Sequence, residues 1–169
     1  MKRRFLAIIT AVALSSGLGT VVAFQAHAPA AATIRTTAAA ATAAATGPIV
    51  GYEGLCLDDR SASAADFNPV QVYTCNGTSA QQWTVGSGNT LQVLGKCLDV
   101  DGAATANGTT VDLYDCNGTG AQVWTPQSNG ELLNPASGKC LDDTGYGGSG
   151  TQVQIWACTG NSNQEWTLP

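Results

Sequence analysis

Histidine is nearly missing from this chain: its 169 residues include a single one, His27. Charge is scarce, at 11%, and basic charge scarcest, with seven Lys and Arg against twelve Asp and Glu. Beyond Lys2, Arg3 and Arg4 there is no basic cluster. Nucleic acids and anionic membranes are bound through concentrated positive charge, so neither is expected as a partner. Long apolar runs are lacking too. The stretch from Phe5 to Leu14 is broken by Ser15, Ser16, Gly17, Gly19 and Thr20, short of the roughly 20 residues a membrane span needs.

What stands around that stretch has the order of a secretory signal peptide. Lys2-Arg3-Arg4 precede it and Ala26-His27-Ala28 follow it, so cleavage is expected after Ala28. Removing residues 1–28 takes the histidine away and leaves 4 basic against 12 acidic residues, a net of −8. Ser-His-Asp and Cys-His catalysis and His-ligated metals are then excluded. Six cysteines on an exported chain favour three disulfides, which removes cysteine nucleophiles as well.

Residues 29–46 hold ten Ala and five Thr, with Ile34 the one large apolar side chain. Nothing there can bury a face, and the segment reads as a linker. The globular part is expected over 47–169, and it repeats itself. Gly54-Leu55-Cys56-Leu57-Asp58 returns as Gly95-Lys96-Cys97-Leu98-Asp99 and as Gly138-Lys139-Cys140-Leu141-Asp142. A second cysteine follows each time in Tyr73-Thr74-Cys75, Tyr114-Asp115-Cys116 and Trp156-Ala157-Cys158. Each unit closes on Gln-x-Trp-Thr, beginning at Gln81, Gln122 and Gln164. Trp83, Trp124 and Trp166 are placed in the core.

Within each unit the pattern is β. Val70 to Tyr73, Val111 to Tyr114 and Val153 to Trp156 alternate with period two. Asn-Gly pairs at Asn76, Asn107, Asn117 and Asn129 supply the positive φ that tight turns need. The Asn-Gly-Thr triplets at three of them formally fit glycosylation acceptors, yet their repeat placement fits turns. About four short strands per unit make about twelve, all-β, and three units without caps suggest a closed pseudo-threefold assembly. Six cysteines allow 15 pairings. The internal symmetry selects Cys56–Cys75, Cys97–Cys116 and Cys140–Cys158.

A threefold Cys-Leu-Asp … Cys … Gln-x-Trp repeat of this length resembles the ricin B-chain-like (R-type) lectins and the carbohydrate-binding modules related to them. The resemblance covers residues 51–168 and implies a β-trefoil with one shallow sugar pocket per repeat. A sugar offers one apolar C–H face and a rim of hydroxyls, which an aromatic ring, a carboxylate and a side-chain amide can meet. In the family the carboxylate is the Asp two after the first Cys, and the ring lies two before the second. A Gln lies four before the second Cys, and an Asn precedes the Gln of Gln-x-Trp.

Carried across, the third repeat matches throughout with Asp142, Gln154, Trp156, Asn163 and Gln164. The first offers Asp58, Gln71, Tyr73 and Gln81, with Ala80 for the Asn. The second offers Asp99, Tyr114 and Gln122, with Ala121 for the Asn and Asp112 for the Gln. The resemblance therefore implies a secreted, extracellular binding protein with no chemistry of its own and its best site in the third repeat. Its expected partner is a carbohydrate, galactose or lactose or a xylan-type polysaccharide, held without metal or cofactor. Two other functions fit the residues less well. A carboxylate-pair glycosidase needs two carboxyls flanking one bond, and the repeat supplies one Asp per pocket in register. A trefoil protease inhibitor needs a long exposed loop, and none stands out. Asp58-Asp59 and Asp142-Asp143 are not expected to share a pocket, because neighbours on a strand point to opposite faces.

Overall fold

The computed structural model describes residues 44–169. The expected signal peptide and nearly all of the expected linker lie outside those residues. The first repeat comprises β1 (Thr46–Gly47), β2 (Cys56–Asp59), β3 (Asn68–Tyr73) and β4 (Trp83–Val85). The second comprises β5 (Leu91–Val93), β6 (Lys96–Val100), β7 (Thr109–Tyr114) and β8 (Thr125–Pro126). The third has β9 (Leu132–Asn134), β10 (Lys139–Asp143) and β11 (Val153–Trp156). Its fourth strand is reduced to the bridges Glu131–Glu165 and Val50–Thr167, which accounts for eleven strands where about twelve were expected. Thr46 pairs with Thr84, so the last residue of the expected linker lies in a strand.

The strands are short because a positive-φ turn interrupts them every few residues. Gly77, Gly108, Gly118 and Gly130, the second members of the Asn-Gly pairs, all have φ between 71° and 89°, a region that costs glycine nothing. Among the described residues no helix is long and apolar enough to cross a membrane.

The three hairpins close on one another as a β-trefoil. The start of β3 pairs with β7 through Asn68 and Leu113, and the start of β7 pairs with β11 through Thr109 and Ile155. Gln152, just before β11, bridges back to Gln71 on β3. The first and last strands meet where Val50 and Thr167 exchange two backbone hydrogen bonds of 3.0 and 2.8 Å.

The core is itself threefold. Leu57, Leu98 and Leu141 are wholly buried, as are Val70, Val111 and Val153. Each Gln-x-Trp tryptophan packs among them, and its indole N–H donates to the carbonyl of Leu57, Leu98 or Leu141 at 2.8, 2.9 and 3.0 Å. A buried indole needs such a partner, and the repeat supplies it 25 or 26 residues upstream every time. Gly51 is required by one of these rings: a Cβ there would lie 2.6 Å from Trp166.

All three expected disulfides are present, Cys56–Cys75, Cys97–Cys116 and Cys140–Cys158. Each ties the first strand of a hairpin to the segment leaving the second.

Candidate functional site

The alternation that buries Leu57 turns Asp58 to the other face of its hairpin, opposite Gln71 across the ladder. The same register sets Asp142 against Gln154 and Asp99 against Asp112. Above each pair opens a shallow cleft of about 360, 300 and 290 Å³ for the first, third and second repeats, at the small end of ligand pockets.

In the third repeat Asp142 is buried and held by three amides. Gln154 donates to Oδ1 at 2.9 Å, while Asn163 and Gln164 donate to Oδ2 at 2.9 and 2.8 Å. A carboxylate has about four acceptor positions, so about one is left for a sugar hydroxyl. Asn163 also spends its second N–H on the Asp143 carbonyl at 3.1 Å. What Asn163 keeps for the cleft is its carbonyl oxygen, and Gln154 keeps its carbonyl oxygen and one N–H, none of which has a partner among the described residues. Trp156 stands beside them, 41% exposed.

In the first repeat Asp58 accepts from Gln71 and from Gln81, each at 2.9 Å, and Ala80 leaves its remaining acceptor positions open. Arg60 Nε donates to the Gln71 carbonyl at 3.0 Å, placing one positive charge at the cleft edge. Tyr73 is 40% exposed. In the second repeat Asp99 accepts only from Gln122, at 2.7 Å, among the described residues. Asp112 faces Asp99 where the other repeats have Gln, so in this cleft two carboxyl groups meet across the ladder. Both lie side by side on one hairpin face, beneath any bound ring.

Gln81, Gln122 and Gln164 do not reach their clefts. Each is buried beneath its Asp with the amide committed internally. Their side-chain carbonyls accept backbone N–H groups of Asn76, Asn117 and Thr159 at 2.8 to 2.9 Å. Their N–H groups serve the Asp and the carbonyls of Thr74, Asp115 and Ala157 at 2.9 to 3.1 Å. They are positioning residues that lock the carboxylate to the turn after the disulfide.

Two cleft residues escape the repeat pattern. Tyr146 lines the third cleft opposite Trp156, 47% exposed, at φ 57°. Ala62 and Ala103 hold the matching positive-φ positions. Tyr52 supports its ring edge-on at 5.2 Å. Phe67 lines the second cleft and comes from the first repeat. The signal in the sequence was an aromatic in each loop where the sister repeats carry Ala or Gly.

The neighbouring carboxyls Asp59 and Asp143 are fully buried. In the first cleft strict alternation fails: β2 ends at Asp59, and both Asp58 and Asp59 border the same space. One oxygen of Asp59 accepts from the Asn68 amide, and one of Asp143 from Gly147 N–H at 3.2 Å. Their second oxygens have no partner among the described residues. Burial pushes both carboxyls up to about 6, with Asp58 and Asp142 adding like charge. A raised folded-state value means that stability is fullest below about pH 4 and declines as pH rises through about 6. Asp143→Asn keeps the acceptor for Gly147 and removes the buried charge. It is expected to raise stability at neutral pH by on the order of 1–2 kcal/mol and to flatten this decline. Thermal unfolding of both proteins across this pH range checks it; an unchanged slope would assign the decline to other groups.

Comparison with known proteins follows the same lines. The model of the ricin-type beta-trefoil lectin domain matches residues 45–166. Over 118 residues the chain is 39% identical to a serine protease 1 of Rarobacter faecitabidus, covering 70% of this chain and 22% of that protein. Over 92 residues it is 64% identical to a glucan endo-1,3-beta-glucosidase of Cellulosimicrobium cellulans, covering 54% and 17%. The chain thus spans about a fifth of the curated relatives it matches. Among solved structures, a non-toxic homologue of type II RIPs from Momordica charantia, in complex with alpha-methyl-D-galactoside, superposes with a TM-score of 0.68. That pair is 30% identical and covers 75% of this chain and 48% of the other.

Proposed function

Since the chain belongs to the ricin-type β-trefoil lectin family, a family of carbohydrate-binding domains, we propose that it is an exported lectin whose principal site is the third-repeat cleft. The observation that carries this reading is the half-exposed Trp156 beside an Asp142 already oriented by three amides. A ring with no apolar neighbour to cover it is an open stacking face, and a carboxylate held in place loses little entropy when a hydroxyl arrives. Tyr146 closes the cleft from the far side. Galactose-type sugars or a xylan-like polysaccharide are the ligand class; the galactoside in the bitter gourd homologue supports the former. Three disulfides support an oxidising, extracellular setting. Three clefts on one rigid body would gain avidity on a polymer even at millimolar strength per site.

A glycosidase is disfavoured by the same geometry. Asp99 and Asp112 lie next to each other beneath one side of any bound ring, whereas hydrolysis needs an acid and a base or nucleophile flanking the scissile bond.

The test is retention of the protein on immobilised xylan and on lactose-agarose, with release by free sugar. Trp156→Ala is expected to weaken retention by about tenfold, the worth of one ring stacked on a sugar face. Tyr73→Ala is expected to leave most of it. The reverse ranking would move the principal site to the first repeat. No retention on either matrix would remove both ligand choices.

A further inference from the structure

The second cleft is not a worn copy of the third; it differs from it by substitution at three places, one of them shared with Ala80 of the first, and the differences agree in sense. Asp112 stands where Gln71 and Gln154 stand in the sister hairpins. It is only 6% exposed and lines the cleft, and neither oxygen has a hydrogen-bond partner among the described residues. Asp99 Oδ1, which a sister glutamine would satisfy, is likewise without a partner there. Ala121 replaces Asn163, so no amide fills the space. An unpartnered buried carboxylate is costly to keep.

The third difference lies above these carboxyls. Phe67 occupies φ 63°, where the matching residues are Gly108 and Gly150 at 86° and 97°. The match is fixed by hydrogen bonding, since the N–H groups of Phe67, Gly108 and Gly150 donate to Leu113, Ile155 and Val72 at 2.7 to 2.9 Å. A phenylalanine is strained at such a φ. Even so its ring is held 63% exposed at the cleft, edge-on to Tyr114 at 5.0 Å. Two aromatic faces over two carboxyl groups that keep open acceptor positions attract a cation with an apolar body.

We propose that the second-repeat cleft binds a positively charged sugar, a protonated amino-sugar unit of the glucosamine type, with its ammonium between Asp99 and Asp112 and its ring against Tyr114 and Phe67. This rests on the carbohydrate-binding reading and names the ligand of one of its clefts. Burial, followed by Asp101 on the turn after β6, Asp99 and Asp66, raises Asp112 to about 7. Burial raises Asp99 as well. The empty cleft therefore holds part of a proton near neutrality, released to water when an ammonium takes its place. Lys96, the base that opens β6, does not compete, being held by Asp66 at 2.6 Å and Asp115 at 2.5 Å.

The experiment compares two oligosaccharides of one backbone, a glucosamine tetramer and its N-acetylated counterpart, titrated into the protein at physiological salt. The free amine is expected to bind at least about tenfold more tightly. Asp112→Gln, which restores the sister side chain, should abolish that preference, and the exposed Glu53→Gln, removing the same charge elsewhere, should keep it. Phe67→Gly should weaken the amine while holding or raising the unfolding temperature, which separates loss of the ring from loss of the fold. Equal affinity for the two tetramers, or a preference that Glu53→Gln removes as fully as Asp112→Gln, would overturn the proposal. So would a calcium-induced thermal shift that Asp112→Gln removes, without an amine preference, since the carboxyls would then serve a metal. Retention on xylan and lactose-agarose, read in parallel, tells the two failures apart: retained protein without amine preference sinks this inference alone.

Discussion

Trp124→Ala is expected to cost about 3–5 kcal/mol of stability, the usual loss for emptying a core tryptophan site. The ring is 1% exposed and its N–H is spent on the Leu98 carbonyl at 2.9 Å. Truncation opens a cavity among residues already locked by β pairing and by a disulfide, so collapse around it is limited. It also leaves a buried carbonyl without its donor. For a domain of this size the melting temperature should fall by roughly 10–20 °C. Thermal unfolding followed by near-ultraviolet circular dichroism reads this directly. Trp156→Ala provides the contrast, because an exposed ring contributes little to folding and its loss should barely move the transition. Equal losses in the two variants would mean that Trp156 is a packing residue, and the proposed sugar platform would fail with it.

Gln164→Leu should impair folding and sugar binding together, without touching the cleft surface. The leucine has similar volume but cannot make any of four hydrogen bonds. These are to Asp142 at 2.8 Å, to the Ala157 carbonyl at 3.1 Å, and from Thr159 N–H and hydroxyl at 2.8 and 3.0 Å. The destabilisation should be on the order of 2–4 kcal/mol, because a buried carboxylate loses one of its supports and the turn at Thr159 loses the acceptor of its N–H. Binding at the third cleft should drop by at least about tenfold as Asp142 loses its fixed orientation. Measured at a temperature where the variant is fully folded, affinity separates the two roles. Normal affinity in a destabilised variant would make the glutamine a turn-forming residue alone. In that case its place beneath Asp142 would be incidental to binding.

Much of this molecule was legible in one chain because the chain states its pattern three times. The recurrence of Cys56, Cys97 and Cys140 against Cys75, Cys116 and Cys158 selected the disulfides. Period-two alternation placed Leu57 and Val72 inward and Asp58 and Gln71 outward together, since both strands of a hairpin obey one pleat. The core tryptophans followed from their position in each closing Gln-x-Trp. Less legible was the work of the glutamines in that motif. Spacing along a strand tells which face a side chain occupies but not whether its amide is already spent on a turn.

Composition and the internal repeat determined an acidic, all-β, threefold domain, and the family resemblance supplied an Asp and an aromatic for the site of each repeat. What only the tertiary structure decided is how the repeats complete one another. Thr74 N–H beside the first cleft donates to Ser149 at 3.0 Å, from the third repeat. Asp115 N–H beside the second donates to Asp66 at 3.0 Å, from the first. Ala157 N–H beside the third donates to the Asn107 side chain at 2.9 Å, from the second. Phe67 crosses between repeats in the same direction. The three partners Ser149, Asp66 and Asn107 hold one matching position, just before Gly150, Phe67 and Gly108, but their different side chains and their spacing do not tell that each serves the next repeat and not its own. They meet their sites only because the three hairpins close into a ring, and that closure joins residues 49 to 75 positions apart.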